Sequence, residues 1–176
     1  MGEQWGNHRI KFNDRGTVSA ANIHVGDGMK VWYEVELVEI SRCNSLRIGW
    51  ASESLSYIHM YCGKGVGHVS QSYAFNPIRG LKWCEGNPND WGEQITKDNS
   101  KKYVGVALDL MEGTISFSLY GNWEAPMGIA FHGINKNTSY FPAVSASCMT
   151  LEINVGDCPF VYGPPDAGYS TLLDIA

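Results

Sequence analysis

The amino-acid sequence predicts an all-β domain, a two-sheet antiparallel β-sandwich, and three observations carry that prediction. Residues 104–119, "VGVALDLMEGTISFSL", alternate large apolar with small or polar side chains on both sides of a Glu-Gly turn, the period-2 pattern of a hairpin with one buried face. Short runs rich in Val, Ile, Tyr, Phe and Trp recur between clusters of Gly, Asn, Ser and Pro, as strands joined by turns require. No stretch longer than a few residues keeps a 3.6-residue apolar period, so no amphipathic helix is expected.

The elements follow in order. Residues 1–16 are polar, with Trp5 and Phe12 as docking points, and read as an extension that packs on a domain beginning at residue 17. "VWYEVELVEI" (31–40) is a strand, "SRCNS" turns the chain, and "LRIGWAS" (46–52) is the next strand. "YIHMYCGKGVG" is irregular and leads into the strand "HVSQSYAF" (68–75). Residues 76–99, "NPIRGLKWCEGNPNDWGEQITKDN", hold too many Pro, Gly and Asn residues for a helix and read as one long loop, of the kind that tends to be functional. In the hairpin, a two-residue turn at Glu112-Gly113 pairs Leu110 with Ile115, Leu108 with Phe117 and Val106 with Leu119. Asp109, Thr114, Ser116 and Ser118 then share the opposite face, and Asp109 is a solvent-side strand residue rather than a catalytic acid. "MGIAF", "SYFPAVSA" and "LEINVG" supply the later strands, up to residue 156. Residues 157–176 form a Pro- and Gly-rich tail whose aromatics pack back on the domain.

Composition narrows the function. A chain of 176 residues with 44% hydrophobic and 18% charged residues is globular, and its size favours one domain with a full core. A net charge of −5 opposes general binding to nucleic acid or anionic membranes, which needs clustered cations. Cys43, Cys62, Cys84, Cys148 and Cys158 form no CxxC pair, so neither a disulfide framework nor a zinc motif is read, and reduced thiols in the cytoplasm or nucleus are expected. The polar segment from Gly2 to Asn13 is not a signal peptide, and no apolar run has the length of a membrane span.

The order and spacing of "WYEVEL", "RIGWAS", "SQSYAF", "VGVALDLMEGTISF", "FPAVSA" and "LEINVG" resemble the SPRY domain, the core of the B30.2 module. The resemblance covers residues 17–156, and the tail "PFVYGPPDAGY" is similar to sequences that follow some SPRY domains. Where the family continues "FY-NG" after the hairpin, this chain has Ser118-Leu119-Tyr120-Gly121-Asn122. The resemblance implies a concanavalin-like jelly-roll sandwich and a non-catalytic protein-interaction module, with a recognition surface made of loops at one edge. Such modules occur in ubiquitin-ligase adaptors and scaffolds.

Protein-binding surfaces favour Trp, Tyr and Arg. The long loop supplies Arg79, Lys82 and Trp83, and Trp83 matches the place of a surface aromatic in the peptide-binding SPRY adaptors. Arg42 and Asn44, around Cys43, match a second contact loop. Ser147, Cys148 and Met149 match a third, where those adaptors carry an apolar and aromatic pair. Trp32, Trp50 and Phe117 are read as core, and Trp91 as an anchor of its own loop.

Other classes find less support. No GxSxG, HExxH or phosphate loop is present, and "GKGVGH" lacks the Lys-Ser/Thr and the helix that would bind phosphate. His59, Cys62 and His68 have no common zinc spacing and no fourth ligand. Neither a metal nor a cofactor is expected. Trp83 or Trp91 with Asn87 or Asn89 would suit a sugar, and packing inside a larger parent protein is a further alternative.

Overall fold

A computed structural model describes residues 8–20, 22–40, 45–57, 64–96 and 102–176. Eleven strands are present among the described residues: β1 (His8–Ser19), β2 (Lys30–Glu39), β3 (Leu46–Ala51), β4 (Ser72–Asn76), β5 (Leu81–Cys84), β6 (Asn87–Asp90), β7 (Tyr103–Asp109), β8 (Thr114–Leu119), β9 (Gly128–His132), β10 (Phe141–Asn154) and β11 (Ser170–Thr171). Among the described residues the helical elements are two 3-10 turns, Glu53–Tyr57 and Leu173–Ile175.

The strands hydrogen-bond in the order β6-β5-β4-β3-β10-β2-β7-β8-β9, with β1 along β10 and β11 beside β2. This continuous sheet curls into two facing layers, and β10 makes the corner. Its first half, Phe141–Ala146, pairs antiparallel with β3, and its second half, Thr150–Asn154, pairs antiparallel with β2. Between the halves, Cys148 takes a left-handed backbone (φ 52°) and the β1 register slips between Phe12 and Arg15. The slip switches the inward parity of β10, so that Val144 and Ala146 face the core before it and Met149, Leu151 and Ile153 after it, as a β-bulge does.

Between the layers lies the core. Trp50, Tyr33, Phe75 and Phe117 are fully buried there, each such side chain contributing roughly 1.5–3 kcal/mol by removal from water. Tyr33 meets Trp50 edge-on at 5.2 Å and Phe75 meets Phe117 at 5.5 Å. Gly49 has a steric reason to be glycine: a Cβ there would lie 1.9 Å from the Tyr73 carbonyl oxygen and 2.9 Å from the Ala74 Cα.

The hairpin forms as read from the sequence, but its register differs by two residues. Val106 pairs with Phe117, Leu108 with Ile115 and Asp109 with Thr114, leaving Leu110–Gly113 as a four-residue loop. Asp109 causes the change. Its Oδ1 accepts from the backbone N–H groups of Met111 and Glu112 at 2.8 and 2.9 Å, and Gly113 N–H donates to its carbonyl at 2.8 Å. Asp109 is 5% exposed, so it is a buried turn-former and not a solvent-side residue.

The stretch 76–99 also departs from expectation. It is not one loop, because Leu81–Cys84 and Asn87–Asp90 pair with β4 and each other as β5 and β6. Trp91 anchors the chain beyond β6, with its ring 5.2 Å from Phe75 and 6.0 Å from Phe117. Lys82 reaches from β5 to the opposite layer and donates to the Ala130 carbonyl on β9 at 2.7 Å.

The C-terminal segment lies over the outer face of the β2–β7–β8 layer. Phe160 packs on Trp32 at 4.1 Å, the Trp123 indole donates to the Gly163 carbonyl at 2.9 Å, and Glu34 accepts from the N–H groups of Val161 and Tyr162. Trp32 is therefore 2% exposed although it points away from the central core. β1 runs through residues 16 and 17 without a break, paired with β10 to both sides of that point.

Candidate functional site

The candidate site lies on the outer face of the other layer. Arg47, Gly49 and Ala51 alternate outward from β3, because Ile48 and Trp50 take the inward positions. Register places Ala74 and Trp83 beside them on β4 and β5, and Ala143 and Ser145 on β10. The 3-10 turn Glu53–Tyr57 and residues 64–71 cover much of this face. Leu55, Val66 and Val69 form a small cluster with Ala51, Ala74, Phe141 and Ala143, and Trp83 packs against it half-buried. Two hydrogen bonds pin the covering segment: Val66 N–H and Gly67 N–H donate to the hydroxyls of Ser145 (2.9 Å) and Ser72 (2.7 Å). Gly67, at φ +84°, admits the close approach, since a Cβ would sit 2.7 Å from that of Trp83.

Arg47 is the exceptional residue. It is 8% exposed, yet none of the ion pairs among the described residues includes it. Its guanidinium lies 5.1 Å from the Trp83 ring, and Nη1 donates to Nδ1 of His68. The His68 and Trp83 rings are 5.1 Å apart. Burial, together with the Arg15 charge, lowers the Arg47 pKa to about 10. Burial likewise lowers that of His68, assisted by Arg47, Lys64 and Arg15, which keeps the imidazole neutral and able to accept from Arg47. The Trp83 indole N–H is buried and has no acceptor among the described residues. This arrangement collects cations and donors, and none of the ion pairs among the described residues brings a carboxylate to it.

The residues expected from sequence fall in several places. Trp83 joins the cluster. Arg42 and Asn44 lie outside the described residues. Arg79 is exposed in the turn before β5, where Asn76 Oδ1 accepts from its backbone N–H at 3.1 Å. Lys82 is spent on the Ala130 carbonyl and stands 5.3 Å from the Phe131 ring, between the layers. Ser147 and Cys148 are half-buried at the β10 bulge, where Ser147 pairs in register with Arg15 and donates its N–H to the Ser45 carbonyl. Met149 is 3% exposed and belongs to the core, placed there by the parity switch at Cys148.

Sequence reasoning weighed His68 only as a metal ligand and passed over Arg47, Arg15 and Lys64. A signal for Arg47 existed: it occupies the outward parity of a strand whose inward residues are Ile48 and Trp50. Its burial, however, is created by residues 64–71, which no local pattern reveals. Of the residues weighed as metal ligands and set aside, His59 and Cys62 lie outside the described residues, and among the described residues no group of three His, Cys, Asp or Glu side chains converges. Among them, too, no helix is long and apolar enough to cross a membrane.

Comparison with known proteins agrees with this architecture. The profile of the SPRY domain matches residues 30–157. The E3 ubiquitin-protein ligase RKP of Arabidopsis thaliana is 34% identical over 150 residues, which is 82% of this chain and 10% of that protein. The chain thus corresponds to about one tenth of the relative's length. With the curled antiparallel sheet, the matched profile and this relative in agreement, the chain belongs to the SPRY domain family.

Proposed function

We propose that this domain is a non-catalytic interaction module that holds a peptide segment of a partner protein against the face around Arg47 and Trp83. One observation carries the reading: Arg47 is buried, charged and without a carboxylate among the described residues. A buried guanidinium lacking its counter-charge is costly, and a carboxylate or carbonyl from a partner offsets that cost with charge-assisted hydrogen bonds. Trp83, half-buried beside Arg47, adds apolar contact area in the manner of an interface anchor. Arg42, Asn44, Arg79, Ser147 and Cys148 are proposed as the rim of this surface.

The family match and the ligase relative support a recognition or scaffolding part within a larger intracellular protein, where the domain presents a partner to activities located elsewhere. The test is selection from a displayed random-peptide library with the wild-type domain and with Arg47→Met. Enrichment of Asp- or Glu-containing peptides by the wild type, lost with Arg47→Met, supports the reading. Equal enrichment by both proteins refutes the role of this face.

A further inference from the structure

The opposite outer face carries a second, separate concavity. A groove of about 510 Å³ lies between the β8–β9 surface and the C-terminal segment, within the size range of ligand sites. Its floor includes Asp109, Thr114 and Ser116, and its walls include Trp123 and Tyr169. Trp123 is fixed by its bond to the Gly163 carbonyl.

We propose that this groove receives an arginine or lysine side chain of a partner polypeptide. Three carboxylates line it, Asp109, Glu112 and Asp166, against the single ammonium of Lys30. The lining keeps an excess of negative charge after Lys30 is paired. Lys30 itself displays the chemistry: its Nζ stands 3.1 Å from Asp166, 3.6 Å from Asp109 and 4.6 Å from the Tyr169 ring centroid. Carboxylate oxygens and an aromatic face around one ammonium are what a second cation requires.

Two further features point to an occupant. Ser116 is 7% exposed and lines the groove, yet its hydroxyl makes no side-chain hydrogen bond among the described residues, so a nine-tenths buried acceptor opens into the space. Ile129, 49% exposed at the rim, offers apolar surface to the methylene stem of a long basic side chain. An anion would meet the excess carboxylate charge, and a neutral ligand would leave Glu112 and the exposed side of Asp166 unused. The site is distinct from the Arg47 face and does not depend on it.

The test is an NMR titration of the isotope-labelled chain with Nα-acetyl-arginine methylamide, repeated with the citrulline counterpart, which keeps the shape and loses the charge. The expected result is saturable shifts centred on the Trp123 indole N–H and the amides of Ser116 and Ile129, in the millimolar range, and about tenfold weaker binding of the citrulline compound. Glu112→Gln, at an exposed position, should keep the fold and weaken arginine binding by about threefold. Equal shifts with citrulline, shifts centred away from the groove, or no saturable shift would each overturn the proposal.

Discussion

The phenol of Tyr33 donates to the carbonyl of Gly49 at 2.6 Å, which ties β2 of one layer to β3 of the other inside the core. Both partners depend on their residue type. Tyr33 is fully buried and needs an acceptor, and Gly49 alone lets β4 approach closely enough to keep its carbonyl in place. Tyr33→Phe removes the donor while preserving the ring. The expected loss is about 1–2 kcal/mol, measured by denaturant unfolding; unchanged stability would show that the bond contributes nothing net.

Alkaline pH should act through several phenols together. Burial holds Tyr33 well above its ordinary value, and it also raises Tyr73, Tyr140 and Tyr169; that of Tyr103 is pushed up to about 12, with Glu36 assisting. Well below pH 10 these phenols are protonated in both states and add no pH dependence. Above it the unfolded chain loses protons that the folded chain retains, so stability falls as pH rises. Thermal melts between pH 7 and 11 should show a constant midpoint and then a decline. A decline that begins near neutrality would assign the effect to other groups.

Arg47→Met separates stability from function. Replacement of a buried cation that has no counter-charge by an apolar side chain of similar length should leave the melting temperature unchanged or raise stability by about 1–3 kcal/mol. A marked fall in melting temperature would mean that the contacts with His68 and Trp83 outweigh the burial cost.

Phe160→Ala tests the C-terminal cover. Phe160 is half-buried against Trp32, and its truncation should cost about 1–3 kcal/mol. It should also shift tryptophan emission to the red as Trp32 meets water. An unaltered spectrum with unaltered stability would show that the segment after Gly156 does not shelter this face.

Much of this fold was legible because alternation survives even when details move. The hairpin faces were assigned correctly with the register wrong, since a two-residue slip keeps every side chain on its own side. What decided the register was the side chain of Asp109 capping the turn, a bond that the Glu-Gly pair does not reveal. β5 and β6 were hidden because Gly86, Pro88 and the asparagines look like loop, and only pairing with β4 makes them strands. Trp32 was read correctly as buried, but its cover comes from Phe160, far along the chain. The candidate site was half legible. Trp83 announced itself by residue type, whereas Arg47 lay inside a strand and acquires its character from a segment folded over it. Met149 misled because a single left-handed residue, Cys148, turns it inward.

Both ends of the curled sheet are open seams where another chain could continue the ladder, and each is closed differently. At β6 the exposed strand carries Pro88, which has no N–H to offer. At β9 the ammonium of Lys82 occupies the Ala130 carbonyl. A newcomer strand would have to evict a charged group before it could bond there, and the charge itself discourages stacking. The sheet therefore ends where its own sequence says it should. Neither of these two edges offers an unbroken ladder to a neighbouring polypeptide.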